Sequence, residues 1–188
     1  MSFPQAEGRS WARLATLVTL VTVAAVLARF GLDPQTPAFC YLAAVGVPLA
    51  FIDVREYRLP DVLTLPSYPA CLLLLGVAAP FLPGGTGRFV HALIGMAAAA
   101  ALFFLLLLAF PAGIGMGDVK LAGPLGAYLG WLGATAALAG LMAAWLLAAV
   151  TGLGLMAAGR ANRKTQLPFG PFLLAATVGA ALLAGIPG

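Results

Sequence analysis

Seven runs of apolar residues, separated by proline, glycine or charged residues, constrain this chain more than any other feature of its sequence. A helix that crosses a bilayer core of ~30 Å needs about 20 apolar residues. Only 9% of the residues are charged, against roughly 25% in a soluble domain. The sequence therefore predicts an all-α polytopic membrane bundle of about seven transmembrane helices. The predicted spans are 14–31, 37–52, 67–82, 89–110, 119–131, 132–158 and 168–187.

The distribution of basic residues predicts the orientation of these spans. The stretch 119–158 carries Lys120 and Pro124, and at about 1.5 Å per residue it is long enough for two crossings. With two crossings and a cytoplasmic N-terminus, eight of the ten Lys and Arg residues lie inside. Only Arg29 and Arg88 lie outside, which is the asymmetry that the positive-inside rule requires. We therefore expect the N-terminus inside and the C-terminus outside.

The chain is predicted to be a single membrane-embedded domain, 1–188, with an additional N-terminal span at 14–31 and a core at 37–187. The first span lacks a small-residue cleavage site, so we expect it to remain uncleaved. The two cysteines, Cys40 and Cys71, fall in spans that place them near opposite faces, which argues against a disulfide. Without a CxxC pair or a partner for the single histidine, we expect no cofactor and no metal. The net charge of +4 comes from basic residues spread along the chain, which indicates membrane topology, so we expect no nucleic-acid partner.

The acidic residues concentrate at one edge of the predicted bundle. Asp53 ends the second span and Asp118 opens the fifth, whereas Glu56 and Asp61 are assigned to the polar loop beyond the membrane edge. An ionised carboxylate near hydrocarbon costs free energy, so its presence there indicates a function. Two such groups on different helices at similar depth predict a functional pair.

A pair of carboxyl groups that holds one water is the arrangement used in aspartyl hydrolysis. The two groups titrate as a coupled pair, so one acts as general base and its protonated partner as general acid. The neighbouring Gly113, Gly115 and Gly117 allow a substrate backbone to approach closely. The same pattern leaves open which of the two acids holds the shared proton.

Three blocks of sequence carry a resemblance to a known family. GMGD at 115–118 matches the GxGD signature of intramembrane aspartyl proteases, and the VKLAGPLGAYLGW that follows resembles the bacterial type IV prepilin peptidases. FIDVREYRLPDVLTLP at 51–66 resembles the first aspartate motif of that family, and LPFGPFL at 167–173 resembles the start of its last span. The blocks occur in the family's order, and the resemblance covers about residues 37 to 187.

The resemblance implies an enzyme that cuts the short basic leader from prepilin or pseudopilin precursors at the cytoplasmic face of the inner membrane. The cut falls just before an apolar helix, typically after a glycine. Asp53 and Asp118 match the catalytic pair, whereas Asp61 matches a Pro-Asp position that is not catalytic. Many bacterial members also carry a further N-terminal span and a CxxC-containing insert linked to N-methylation. This sequence contains neither, so we do not expect methyltransferase activity.

Each functional assignment has a structural alternative. Asp118 could cap a helix, and Asp53 could pair with Arg55 or Arg58. Asp61 is assigned to capping or leader binding rather than catalysis, and Glu56 to a solvated charge. A proton-coupled transporter using the two acids as a relay is the alternative function, but such sites lie near the bilayer midplane in repeated halves. A non-catalytic scaffold would leave the paired acids unexplained.

Other residues are expected to contribute to helix packing or to the orientation of the chain in the membrane. The GxxxG pair Gly126 and Gly130 predicts close contact with another helix. Lys120 lies two residues from Asp118 and should point away from it on a helix, and we assign it to topology. His91 is assigned to packing or to the membrane interface.

Overall fold

Seven α-helices make up the fold in a computed structural model that describes residues 5–57, 59–110, 114–160 and 168–184, with side chains described from Ser10. This confirms the predicted all-helical membrane bundle. The helices are α1 Gln5–Phe30, α2 Thr36–Glu56, α3 Asp61–Ala78, α4 Gly85–Ala109, α5 Met116–Leu132, α6 Ala134–Ala157 and α7 Gly170–Leu183. The predictions for Arg58, Gly113, Arg163 and Lys164 fall outside the described residues.

Five of the helices have the length and composition to cross a membrane: α1, α2, α3 with its following 3-10 turn Ala79–Phe81, α4 and α6. The other two are shorter. Helix α5 has 17 residues and α7 has 14, so their lengths are about 25 and 21 Å at 1.5 Å per residue. The predicted orientation, with the N-terminus inside, remains a prediction.

The apolar stretch 119–158 is divided into two helices, as the sequence predicts. Helix α5 ends at Leu132, and Gly133 connects it to α6 with a φ of 110°. This backbone conformation is accessible to glycine at little cost. A single residue is therefore enough to start a new helix, and Pro124 lies inside α5 without ending it.

Helix α3 begins six residues earlier than predicted, at Asp61 instead of residue 67. The chain enters it through Pro60, whose ψ of 127° is extended, and Pro66 and Pro69 lie inside the helix. Prolines are tolerated inside membrane helices because side chains and neighbouring helices can re-satisfy the freed backbone groups. Glu56 and Asp61 thus lie at helix ends, not within a longer loop.

Helix α5 lies at the centre of the bundle and is buried over most of its length. It packs against α3, α4, α6 and α7. Near its end, the Tyr128 hydroxyl donates to the Ala38 carbonyl at 2.9 Å, and the Trp131 indole N–H donates to Gln35 Oε1 at 2.8 Å. These bonds join the end of α5 to the start of α2. The beginning of α5 therefore lies beside the end of α2, where Asp53 is located.

The ends of α1 and α7 meet at the opposite end of the bundle from Asp53 and Asp118. The Arg29 guanidinium at the end of α1 donates to the Leu182 carbonyl at 3.1 Å and also to the Ala184 carbonyl. These bonds satisfy carbonyl groups that the end of a helix leaves without intrahelical partners. The same contact fixes α1 along the outside of the bundle.

Helices α4 and α5 approach each other through glycines, as predicted from the GxxxG spacing. A Cβ added to Gly126 would overlap the Gly95 carbonyl oxygen and lie 2.5 Å from the Ala99 Cβ. A Cβ added to Gly130 would overlap the carbonyl oxygen of His91. The missing side chains thus allow backbone contact between two central helices.

We expect Gly126→Ala to destabilise the protein because the new methyl group would force α4 and α5 apart. Overpacking of this kind costs about 1–3 kcal/mol. The measurement is the midpoint of thermal unfolding in detergent, which should fall by about 5 °C. Gly154→Ala is the matched control, because nothing lies within 4 Å of a Cβ built at that helical position. Equal midpoints for the two variants would contradict the proposed backbone contact.

Candidate active site

Asp53 lies in the last turn of α2 and is buried, with 5% of its surface exposed. One of its carboxyl oxygens, Oδ2, is buried and has no hydrogen-bond partner. A buried polar atom without a partner is costly, so such an atom in a native structure needs an explanation. Among the described residues, the ion pair found near this end of the bundle joins Lys120 to Asp61 and does not involve Asp53.

Asp118 lies in the first turn of α5 and is 8% exposed. Its Oδ2 accepts a hydrogen bond of 3.4 Å from the backbone N–H of Gly115, the residue that precedes the helix. The acid of a capping box makes this bond, and glycine has no side chain to make the reciprocal one. The capping interpretation of Asp118 is therefore correct for one oxygen, and it does not conflict with a second role for the carboxyl group.

Gly170, the first residue of α7, brings the two acids together. A Cβ built on Gly170 would lie 2.6 Å from Asp53 Oδ2 and 3.4 Å from Leu121 Cδ2. The backbone of Gly170 lies beside both carboxyl groups, and Asp118 is close enough to Asp53 to act on it electrostatically. Three helices thus meet at this point, and the start of α7 lies against the acid pair.

The other two acids of this end of the bundle stay outside the pair. Glu56 is exposed at the end of α2. Asp61 accepts two hydrogen bonds from the Lys120 ammonium group, at 2.7 and 2.9 Å, in a largely exposed ion pair. Lys120 therefore points away from Asp118, as predicted, and it links the start of α5 to the start of α3.

On the side of α3, the site is bounded by Gly117 and Leu59. A Cβ added to Gly117 would lie 3.1 Å from the Cβ of Leu59, which is buried in the connection between α2 and α3. Gly117 therefore serves close packing against Leu59. Among the described residues, no group of three His, Cys, Asp or Glu side chains could hold a metal ion.

The part played by Gly170 could not be found by searching the sequence for charged or polar residues. Its block, LPFGPFL, indicates only a shaped start of the last helix. The available signal was a glycine between Phe169 and Pro171 at the start of a helix. Its cause is tertiary, since the space that a side chain would need is occupied by Asp53.

Comparison with known proteins gives matches over most of the chain. The profile of the type IV leader peptidase family matches residues 40–186. The prepilin leader peptidase/N-methyltransferase of Aeromonas salmonicida is 34% identical over 169 residues, and that of Burkholderia pseudomallei is 37% identical over 180 residues. These alignments cover 86% and 93% of this chain and 55% of each relative.

A shorter relative is matched over nearly its whole length. Leader peptidase HopD of Escherichia coli is 34% identical over 146 residues, which are 77% of this chain and 92% of that protein. The chain thus spans about half the length of the first two relatives and most of the third. No solved structure gives a significant match.

Proposed function

The chain belongs to the type IV leader peptidase family, and from that premise we propose that it is an aspartyl endopeptidase that cuts leader peptides from prepilin-like precursors. The proposed catalytic groups are Asp53 and Asp118. The observation that carries the proposal is the meeting of these two buried carboxyl groups, from α2 and α5, against the backbone of Gly170.

The proposed reaction uses the two carboxyl groups in opposite protonation states. Two neighbouring carboxyl groups do not readily ionise together, so one retains a proton. The ionised group removes a proton from a water held between them, and the resulting oxygen attacks the peptide carbonyl carbon. The protonated group donates to the carbonyl oxygen as it becomes tetrahedral. The intermediate then collapses and the C–N bond breaks. The leaving nitrogen takes the proton that the first carboxyl group removed from water, and the other carboxyl group recovers its proton from a hydroxyl of the intermediate as the new carboxylic acid forms.

The unpartnered oxygen of Asp53 supports this reaction. A carboxyl oxygen that acts on water must keep a lone pair free for it, and Asp53 Oδ2 has no protein partner. Asp118 Oδ2 is occupied by the Gly115 N–H, which fixes the orientation of that carboxyl group. Orientation of one acid and availability of the other are what general acid–base catalysis needs.

We further propose that the substrates are prepilin or pseudopilin precursors with a short basic leader, cut at the cytoplasmic face of the inner membrane. The charge distribution of the chain supports this side, because most basic residues belong to the end that carries the acid pair in the predicted topology. The two acids lie in terminal turns of their helices and not at mid-helix, so nothing in their placement favours a midplane proton relay.

Co-expression with a precursor tests the proposal. The precursor carries a basic leader, a glycine and an apolar helix, and the wild-type chain is compared with an Asp53→Asn/Asp118→Asn double variant present at equal level in the membrane. We expect the wild type alone to yield the shorter product, with its new N-terminus after the glycine by mass spectrometry. An uncut precursor with the wild type, or equal cutting by the double variant, would refute the proposal.

A further inference from the structure

Helices α4 and α6 both pack on α5 and leave an apolar cavity of about 160 Å³ between them. Its floor is formed by Ala122, Gly126 and Leu129 of α5 and by Leu173 of α7. We call this space the α4–α6 groove. A cavity of ~150 Å³ lined by apolar side chains is large enough to hold a benzene molecule. The α4–α6 groove therefore has room for one large apolar side chain.

The floor of the groove continues directly from the acid pair. Ala122 follows Asp118 by four residues and Gly126 by eight, so all three lie on one face of α5. Leu173 follows Gly170 by three residues and lies one turn further along α7. The groove thus begins about one helical turn below the two carboxyl groups and runs away from them along α5.

Small residues line much of the groove, including Gly95, Ala98 and Ala99 of α4. The other wall residues are apolar, and some of them are exposed on the outside of the bundle. Leu102 is 37% exposed and Leu138 is 66% exposed. In a membrane, small residues permit another helix to approach closely, because no water is displaced and packing decides the contact. The groove therefore suits an apolar helix that enters from the bilayer.

An aromatic cluster lies at the end of the groove nearest the acids. Phe103 of α4 lies 5.5 Å from Phe169, and Trp145 of α6 lies 4.9 Å from Phe169, measured between ring centroids. Phe169 immediately precedes Gly170. The cluster therefore connects both walls of the groove to the residue that lies against Asp53.

We propose that the α4–α6 groove binds the apolar helix of the substrate, with one large side chain of that helix in the cavity, while the bond to be cut lies at Asp53 and Asp118. This inference rests on the proposed function. A precursor cut just before an apolar helix must place that helix where it can run from the acid pair into the membrane. The groove begins about one helical turn from the pair, is open toward the bilayer and has a matching apolar lining.

The test compares Ala98→Phe with Ala97→Phe and uses two substrates. Both alanines lie on α4 and are exposed, but only Ala98 lines the groove. One substrate is the full precursor in liposomes, and the other is a soluble peptide that spans the cut but lacks the apolar helix. We expect Ala98→Phe to lower kcat/KM for the precursor at least 10-fold while cleavage of the peptide stays within twofold. Ala97→Phe should behave as the wild type with both.

The outcomes separate the two proposals. If the wild type cuts neither substrate, the proposed function fails. If the wild type cuts both and Ala98→Phe cuts the precursor at the normal rate, or slows both substrates equally, the groove proposal alone is overturned.

Cross-linking provides a second measurement that does not depend on how well the phenylalanine variant folds. Ala98→Cys and Ala97→Cys are each made with Cys40→Ser, Cys71→Ala and Asp118→Asn, so that bound precursor stays uncut. We expect a disulfide from position 98 to a cysteine in the first two turns of the precursor helix, and much less from position 97. Equal cross-linking at both positions, or none at 98, would overturn the proposal.

Discussion

Asp53→Asn and Asp118→Asn should each lower the rate of leader cleavage by at least about 10³-fold, within the range attributed to positioned acid–base groups. Asparagine has nearly the shape of aspartic acid, but it can neither take a proton from water nor donate one to the carbonyl oxygen. Burial of a neutral amide is also less costly than burial of a charge, so both variants should insert and fold normally. The measurement is single-turnover cleavage of the precursor by purified protein in liposomes.

The double variant distinguishes a catalytic pair from two independently useful residues. Groups that act as a unit have strongly non-additive effects, so Asp53→Asn/Asp118→Asn should be no slower than either single variant. Asp61→Asn is the control, since it removes a nearby acid from an exposed ion pair worth about 1 kcal/mol or less. It should change the rate by less than about fivefold. A single asparagine variant that cuts at the Asp61→Asn rate would remove that residue from the catalytic pair.

The architecture could be predicted because the bilayer imposes a simple rule on the sequence. Backbone polar groups in hydrocarbon must be satisfied within helices, so apolar runs translate into helices with few alternatives. The prediction that Asp53 and Asp118 lie near each other rests on the same rule, because antiparallel helices place the end of α2 at the same end of the bundle as the start of α5. Hydrogen bonds from Tyr128 and Trp131 to the start of α2 are the contacts that hold this register.

Features that depend on contacts between distant segments could not be predicted in the same way. Helix α3 starts at Asp61 although two prolines follow, and prolines are tolerated inside membrane helices because neighbouring groups can re-satisfy the freed backbone. The composition of α5 indicates an apolar helix, but not that it is buried among four others. The contact of Gly170 with Asp53 likewise joins residues more than a hundred positions apart, and no local pattern encodes it.

The contact of Gly170 with Asp53 leads to the second large expected effect. Gly170→Ala should lower the cleavage rate by about 100-fold. The new methyl carbon would lie 2.6 Å from Asp53 Oδ2, so either the carboxyl group or the start of α7 must move by several tenths of an ångström. Both carboxyl groups lie beside the backbone of Gly170, so the shift would disturb their mutual alignment. Misplacement of a reacting group by about 1 Å can cost 10²-fold in rate.

Helix propensity makes the opposite prediction, which sharpens the test. Alanine is favoured over glycine in a helix by about 1 kcal/mol, so Gly170→Ala judged by local structure alone should be more stable and equally active. Gly179→Ala is the matched control on the same helix, because nothing lies within 4 Å of a Cβ built there. We expect Gly179→Ala to retain full activity and Gly170→Ala to lose kcat with little change in KM, since substrate binding does not require the aligned carboxyl groups. Equal activity of the two variants would show that the space beside Asp53 Oδ2 is not needed for the reaction.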